Sequence, residues 1–349
     1  HAVDYRDINR LGRGYNANNA APTAPWRNQS GLTPSIDPSM YPDYDGVNVY
    51  GDIAQNINMD QAFAGLVLPG LVQQGLLSSA QAAFFGNIFM NNTFFGTQTI
   101  NATGYKETDL LDNKASSMKA DVSLHFKPTE DSEIIFNSKI GQGNTMLHAT
   151  NRNMLKNFGL QQHKIEYNNR NLTLRAYTSI EDSGNTHDAS ALGAVMAIAQ
   201  PGGLGGWYAG YLGQYFGLSG VYGVVNPNPV VGLQTILGAA QQGVTFAQLL
   251  NSLNTNDLSA HAAARTVANQ NMIQPGSAAW DSVYKTAVSK GIDVFGGGAG
   301  ILDTSKSTSF EVNYNLQDLV SIADVIVGAS YREYNLRSNG TLFTDYTSP

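Results

Sequence analysis

Within the stretch from Ser116 to Asp131, apolar and polar residues alternate one by one from Met118 to Lys127. Alternate side chains of a β-strand point to opposite faces, so five apolar residues would share one face: Met118, Ala120, Val122, Leu124 and Phe126. The residues between them would share the other: Lys119, Asp121, Ser123, His125 and Lys127. This pattern predicts a strand with one apolar and one wet face. Two settings produce it: the core and surface of a soluble domain, or the lipid and water on the two sides of a pore wall.

Five further segments carry a similar alternation and are predicted as strands: EIIFNSKI, MLKNFGLQQHKIEY, LTLRAYTSIED, SFEVNYNL and DVIVGASYREYNL. In the second of these, the apolar side changes from Phe158 and Leu160 to Ile165 and Tyr167. A β-bulge would produce such a change, and so would a shifted register. In the third, Arg175 alternates with apolar neighbours and is predicted on the polar face.

The connections between these strands alternate in length. KPTEDSE, NNRN and LQDLVSI are short, whereas the intervening connections are long, including GQGNTMLHATNRN at residues 141–153. Consecutive antiparallel strands would then have short turns at one end and long loops at the other, as in bacterial outer-membrane barrels. Strands of about 9–11 residues can cross a bilayer at a tilt. The pattern favours an all-β fold, an antiparallel transmembrane β-barrel that is part of a large barrel. Five residues are predicted to face its lumen: Lys119, Asp121, Ser123, His125 and Arg175.

Four segments follow from this interpretation. Residues 1–102 are expected to connect a plug to the barrel and to include an early loop region with short helices. Residues 103–188 are predicted to form barrel strands with short periplasmic turns, and residues 306–349 to add further strands. Residues 189–305 are predicted to form a long extracellular loop with short helices.

Helical spacing of apolar residues appears twice in that long loop. TFAQLLNSL and SAAWDSVYKTAV each place apolar residues on one helical face, with Thr245 and Ser277 as predicted N-caps. The segment GGLGGWYAGYLGQYFGLSGVYG is rich in Gly and Tyr and is expected to be flexible.

Composition narrows the class of protein. Charged residues make up 13%, against about 25% in soluble proteins, while 36 residues are Gly. Membrane β-barrels fit this composition, and secreted adhesins and surface-layer proteins do so as well. The net charge of -7 argues against a nucleic-acid partner, and the absence of cysteine excludes disulfides and thiolate metal sites. Gly, Pro and polar residues interrupt the apolar runs, so a membrane-spanning helix is not expected.

Candidate chemical motifs are weak. PDYDGVN suggests a calcium loop, but Val47 and Ala54 stand where oxygen donors are needed, which favours a polar turn. FGGGAG is followed by ILDTSKSTS rather than by a phosphate-loop Lys-Ser/Thr, which favours a hinge. His261 and Arg265 lie one helical turn apart in HAAAR and are interpreted as structural contacts. We therefore predict no catalytic residues, metal site or cofactor, and no enzymatic activity.

Four aromatic residues of the long loop are the candidate substrate contacts: Trp207, Tyr208, Tyr211 and Tyr215. Aromatic rings bury a large area with few rotatable bonds and could stack on a sugar or peptide. They could also pack the loop against itself or touch the outer leaflet, and the packing interpretation is favoured.

Several segments, in order and spacing, resemble a TonB-dependent outer-membrane receptor of the Bacteroidetes type. They are YDGVNVYGD, TGYKETDLLDNKASSMKADVSLHF, NRNMLKNFGLQQHKIEYNNRNLTLRAYTSIEDSGNTHD, HAAAR and VGASYREYNLRSNGTLFTD. The resemblance covers about half of the chain. It implies a barrel of about 22 strands closed by an N-terminal plug, of which this chain would be an internal fragment.

The resemblance also implies a function and a location. Such receptors import nutrients actively across the bacterial outer membrane, and the nutrient here is unidentified. The implied partners are the TonB energy-coupling complex through a plug, outer-membrane lipid and a surface lipoprotein. Two alternatives stay open: a barrel that is a structural or docking platform in a surface or secretion assembly, and a surface adhesive β-protein.

Overall fold

The computed structural model describes residues 42–43, 49–52, 56–112, 114–148, 152–217, 232–255, 257–320 and 322–345. The chain forms two compact units, each built from two stretches: His1–Leu110 with Gly193–Val283, and Leu111–Leu192 with Tyr284–Pro349. We call them the helical unit and the sheet unit. This division is based on which residues pack together. It does not test the boundaries of the four predicted segments, which stay a prediction. Most of the predicted PDYDGVN turn, residues 44–48, lies outside the described residues.

Four short strands and ten α-helices occur in the described residues outside the large sheet. The strands pair as β1 with β4 and β2 with β3: β1 Val49–Tyr50, β2 Asn56–Asn58, β3 Thr99–Asn101 and β4 Tyr105–Lys106. The helices are α1 Met59–Ala62, α2 Leu68–Gln73, α3 Ser79–Met90, α4 Glu107–Leu110, α5 Ala189–Ile198, α6 Gly203–Tyr215, α7 Leu233–Gln241, α8 Phe246–Ser252, α9 Leu258–Ala268 and α10 Ala278–Ser289. A π-helix, Phe63–Val67, joins α1 to α2. None of the described helices has the length and apolar character needed to cross a membrane.

Both predicted N-caps are confirmed. The Gln248 N–H donates to Thr245 Oγ1 at 3.3 Å, and the Gln248 side chain accepts from the Thr245 N–H at 2.9 Å. This reciprocal pair satisfies two backbone donors that a helix start leaves free. At α10, Ser277 Oγ accepts from the Trp280 N–H at 3.1 Å. The short helices predicted in the early loop region within residues 1–102 are also present.

Aromatic packing forms the core of the helical unit. The Phe63 ring lies 4.2 Å from Phe89 and 4.8 Å from Phe216, measured between centroids, and all three side chains are buried. Phe95 adds a further ring 5.9 Å from Phe216. Edge-to-face and tilted pairs at such distances stabilise a core beyond the area that they bury.

The expected flexibility of the Gly- and Tyr-rich segment was wrong for residues 203–215, which form α6. Gly210 faces α9, where an added Cβ would lie 3.7 Å from Ala268 Cα, an ordinary contact distance. Burial of the aromatic face stabilises the helix more than glycine destabilises it, since each glycine costs about 1 kcal/mol relative to alanine. The C-terminal part of the segment, residues 218–223, lies outside the described residues.

The sheet unit contains one large antiparallel sheet, which confirms the predicted set of long strands. They are β5 Ser116–Thr129, β6 Ser132–His148, β7 Arg152–Asn168, β8 Leu172–Asp182, β10 Lys306–Asn315 and β11 Ile326–Asn335. They pair in the order β11-β10-β8-β7-β6-β5, and the short β9, His187–Asp188, pairs with β7. In the described part of the chain the sheet is open, with β5 and β11 as its edges.

The prediction of a long connection at residues 141–153 was wrong. β6 and β7 each contain 17 residues and continue to pair as far as His148 and Arg152. The Gly, Gln, Asn and Thr residues of this region are typical of a loop. Strand pairing, however, uses backbone groups and tolerates polar side chains on solvated faces. The hairpin therefore extends beyond the apolar part of the sheet.

A bulge is present in β7, but not where the apolar side changes. The register shifts between Gly143 and Thr145 of β6, where Asn157 of β7 adopts a positive φ of 58°. The Asn144 side chain accepts from the Asn157 N–H at 2.7 Å and so satisfies a backbone group that the bulge would leave unpaired. From Phe158 to Asn168 the pairing is continuous. Phe158 and Leu160 therefore lie on the face opposite to Ile165 and Tyr167.

Candidate functional site

Toward the short turns, one face of the large sheet is apolar across all six long strands. Directly paired residues of antiparallel strands lie on the same face, so the register defines rows that cross the sheet. One row contains Leu124, Phe136, Ile165, Ala176, Phe310 and Tyr331. The next row toward the short turns contains Phe126, Ile134, Tyr167, Leu174, Val312 and Ala329. We call this surface the apolar face.

The apolar face is exposed rather than covered. The exposed fraction is 63% for Leu124, 53% for Ile165 and 61% for Tyr331. An open trough of about 550 Å³ lies on this face between Ile165, Phe310 and Tyr331. Soluble monomers rarely expose contiguous apolar patches above a few hundred Å², and larger patches mark contact with lipid or protein.

The opposite face is polar and linked by ion pairs at its centre. Glu166 Oε2 lies 2.8 Å from Arg175 Nε and 2.9 Å from Lys164 Nζ. Arg175 Nη1 reaches Glu311 Oε2 at 3.1 Å. Arg332 extends the network, because its Nη2 donates to Tyr177 Oη at 2.9 Å. This network connects four neighbouring strands, β7, β8, β10 and β11.

A second polar group surrounds β5 on the same face. Asp121 Oδ2 lies 3.4 Å from Lys139 Nζ and its Oδ1 accepts from Asn137 Nδ2 at 2.7 Å. His125 Nδ1 lies 3.0 Å from Glu133 Oε1, and its Nε2 lies 3.0 Å from Ser123 Oγ. We call the whole surface the polar face.

All five residues predicted to face a lumen lie on the polar face: Lys119, Asp121, Ser123, His125 and Arg175. Their role as lumen residues stays a prediction. Sequence reasoning missed Glu166, Glu311 and Arg332 as their companions. Glu166 and Glu311 each stand between two apolar-face residues of their own strand, and Arg332 follows Tyr331. Only the strand register shows that Glu166 and Glu311 flank Arg175.

The four candidate substrate-contacting aromatic residues lie in the core of the helical unit. Trp207 is 3% exposed, and Tyr208, Tyr211 and Tyr215 are fully buried. Their polar atoms also have internal partners: Trp207 Nε1 donates to Asn269 Oδ1 at 2.9 Å. Burial favours the packing interpretation of these residues, and contact with a substrate stays a prediction.

Tyr211 and Tyr215 belong to a buried polar cluster built on α6 and α9. His261 Nδ1 lies 2.7 Å from Tyr211 Oη, and its Nε2 lies 2.8 Å from Asp257 Oδ2. Tyr215 Oη donates to the same Asp257 oxygen at 2.6 Å. Burial works to raise the pKa of Asp257, but the charge and hydrogen bond of His261 hold this pKa below its usual value.

Arg265 completes the contacts of α9. Its guanidinium lies 5.6 Å from the Trp207 ring centroid, a cation–π distance, and its Nη1 donates to the Asn101 carbonyl at 3.1 Å. The interpretation of His261 and Arg265 as structural contacts is thus confirmed.

The remaining motifs form turns and loops in the described residues. The FGGGAG segment lies in a turn closed by backbone pairing of Asp293 with Gly298, and strand β10 rather than a helix follows it. Within the described parts of the chain, no group of three or more His, Cys, Asp or Glu side chains could hold a metal ion. Comparison of the chain with protein-family models, curated proteins and solved structures gives no match.

Proposed function

We propose that this chain forms part of the wall of a transmembrane β-barrel in the bacterial outer membrane, with its apolar face against lipid and its polar face toward a water-filled lumen. The observation that carries the proposal is the exposed apolar face that crosses six strands. Lipid is the environment in which such a surface is stable, because water would make each exposed Leu, Ile or Phe unfavourable by about 1.5–3 kcal/mol relative to burial.

The distribution of charge supports the lipid assignment. The two rows named above contain no Asp, Glu, Lys, Arg or His, whereas Lys164, Arg175 and Glu311 lie on the polar face. The next row away from the short turns has His163 and Glu333 on the same face as the apolar residues. An Arg or Lys on the lipid side would cost about 2–4 kcal/mol at the bilayer midplane. Tyr167 and Tyr314 lie near the short turns, where aromatic girdles of membrane barrels meet the interface.

The open edges of the sheet support a barrel larger than six strands. Edge strands present unpaired backbone groups, and closed barrels remove such edges. β5 and β11 are both long, and their residues are exposed throughout. We infer that further strands of the same kind pair with them in the complete barrel.

The transport activity in this proposal rests on the resemblance to TonB-dependent receptors. We propose that the parent barrel imports a nutrient and receives energy from the TonB complex through a plug. Uptake that continues in cells without TonB would favour the docking-platform alternative, which shares the barrel but lacks energy coupling.

A matched pair of arginine substitutions tests the lipid assignment. Leu124→Arg places a charge in the first of the two named rows of the apolar face, whereas Ser123→Arg places it on the polar face one residue away. We expect Leu124→Arg to reduce the fraction of refolded chain that floats with lipid vesicles by about tenfold or more. The reason is that an arginine on the lipid face costs about 2–4 kcal/mol at the bilayer midplane. Ser123→Arg should float like the parent chain. Equal flotation of the two variants, or a parent chain that remains soluble without lipid, would contradict the proposal and favour a surface β-protein.

A further inference from the structure

A groove of about 800 Å³ lies on the polar face, at the end of the sheet where β6 and β7 extend together. β5, β6 and β7 contribute its walls, and its lining includes Lys119, Gly141, Gly143, Leu155, Phe158 and Leu160. This volume falls within the range of small-molecule sites, about 300–1,000 Å³.

Two glycines of β6 form the floor of the groove. A Cβ on Gly143 would lie 2.8 Å from the Ser116 carbonyl oxygen, so this position requires glycine for backbone packing. Gly141 differs: its Cβ would lie 3.8 Å from Lys119 Cγ, an ordinary contact distance. The sheet can therefore accept a side chain at position 141, and glycine there leaves space on the polar face unfilled.

Apolar side chains line one side of this space, whereas most of the remaining polar face is hydrophilic. Phe158 and Leu160 pair with Gly143 and Gly141, so no opposing β6 side chain covers them. Leu160 is 40% exposed. Leu155 lies beyond the bulge and extends the apolar wall. This arrangement suits the apolar part of a ligand.

The other side of the groove carries an excess of positive charge. Lys139 and Lys119 both line it, and its single carboxylate, Asp121, lies 3.4 Å from Lys139. In the part of the chain that the structure describes, Lys119 forms no ion pair. An anionic group would therefore find an available ammonium in the same groove as the apolar wall.

We propose that this groove binds an amphipathic organic anion, with its apolar part against Phe158 and Leu160 and its acidic group at Lys119. The inference names a substrate class for the proposed receptor. Only the claim that the groove faces the import path rests on the proposed transport function. Binding itself requires only the folded sheet.

Two valine substitutions provide a matched test. Gly141→Val fills the groove, whereas Gly159→Val adds the same side chain to the opposite face, where its Cβ would lie 3.7 Å from Asp182 Cβ. The probes are 4-phenylbutyrate and its neutral analogue 4-phenylbutanol, titrated against the full chain in detergent with ligand-observed NMR. We expect the parent chain to bind the anion more tightly than the alcohol. Gly141→Val should weaken phenylbutyrate binding by at least about tenfold, and Gly159→Val should leave it unchanged.

A charge substitution provides a second, independent readout. Lys119→Gln should weaken phenylbutyrate binding by about two- to fivefold and leave phenylbutanol binding unchanged, since this cation is solvent-exposed. Equal effects of the two valine substitutions, equal binding of anion and alcohol, or no binding by the parent chain would each overturn the inference. If vesicle flotation fails while these binding results hold, the membrane assignment falls and the groove assignment stands.

Discussion

The two units differ in the exposure of their large apolar side chains. In the helical unit, Phe63, Phe89 and Tyr208 are fully buried, whereas in the sheet unit Leu124, Phe126 and Tyr331 are each more than 60% exposed. The helical unit surrounds its aromatic residues with other helices. The sheet is a single layer with polar side chains on its other face. The difference teaches that apolar residues of one chain can form the core of one unit and an exposed surface of the other, and the proposed function assigns that surface to lipid.

The largest expected contrast comes from removing one phenylalanine from each unit. Phe63→Ala should lower the free energy of unfolding of the helical unit by about 3–5 kcal/mol, because it leaves a cavity among Phe89, Phe95 and Phe216. Phe136→Ala should cost less than about 1.5 kcal/mol in detergent, because that ring is 44% exposed. Denaturant titrations followed by tryptophan fluorescence for the helical unit and by circular dichroism for the sheet would measure both. Similar losses in the two units would break the comparison.

Removing one carboxylate from each unit tests the same contrast with charges. Asp257→Ala leaves buried His261 and Tyr215 without their shared partner, and we expect a loss of about 3–5 kcal/mol. Asp121→Ala removes a partner of half-exposed Lys139, for which we expect about 1 kcal/mol or less. Chemical denaturation of both variants at neutral pH would measure the difference. Comparable losses would show that the polar face is as shielded from water as the helical core.

The pH dependence of the helical unit provides a smaller effect. Burial raises the pKa of the Asp60 carboxyl to about 6, and hydrogen bonds from the Phe95 and Gly96 N–H groups offset this only in part. A carboxyl with a raised folded-state pKa binds its proton more tightly in the folded chain. Its contribution to stability is therefore complete below pH of about 4 and is lost as the pH rises through about 6, by a total of about 2–3 kcal/mol.

Thermal unfolding between pH 4 and pH 8 would measure this dependence. The Asp60→Asn variant has no carboxyl group to ionise at this position. The stability of its helical unit should therefore depend less on pH than that of the parent chain. An unchanged slope in Asp60→Asn would assign the pH dependence to another group.

The periodicity of the sequence predicted the long strands because side-chain direction on a strand depends only on backbone geometry. Met118 to Phe126 alternate by sequence position alone, and the caps of α8 and α10 depend on residues within one helical turn. Such local relations require no knowledge of distant contacts.

Pairing between strands and packing between helices were decided only in the tertiary structure. Glu166, Arg175 and Glu311 meet because the register aligns strands that are far apart in sequence, since β8 and β10 are separated by more than a hundred residues. The same register aligns Gly141 with Leu160 and so creates the groove.

The helix at residues 203–215 likewise depends on contacts outside its own sequence. Its glycines disfavour an isolated helix, and its stability comes from burial of Tyr211 and Tyr215 against His261. Local patterns by themselves thus determined the alternating apolar parts of the strands and where two helices begin. Long-range packing and strand register determined which side chains meet and which faces stay exposed. Both depend on contacts between residues that are far apart in the sequence, so no short stretch of sequence predicts them.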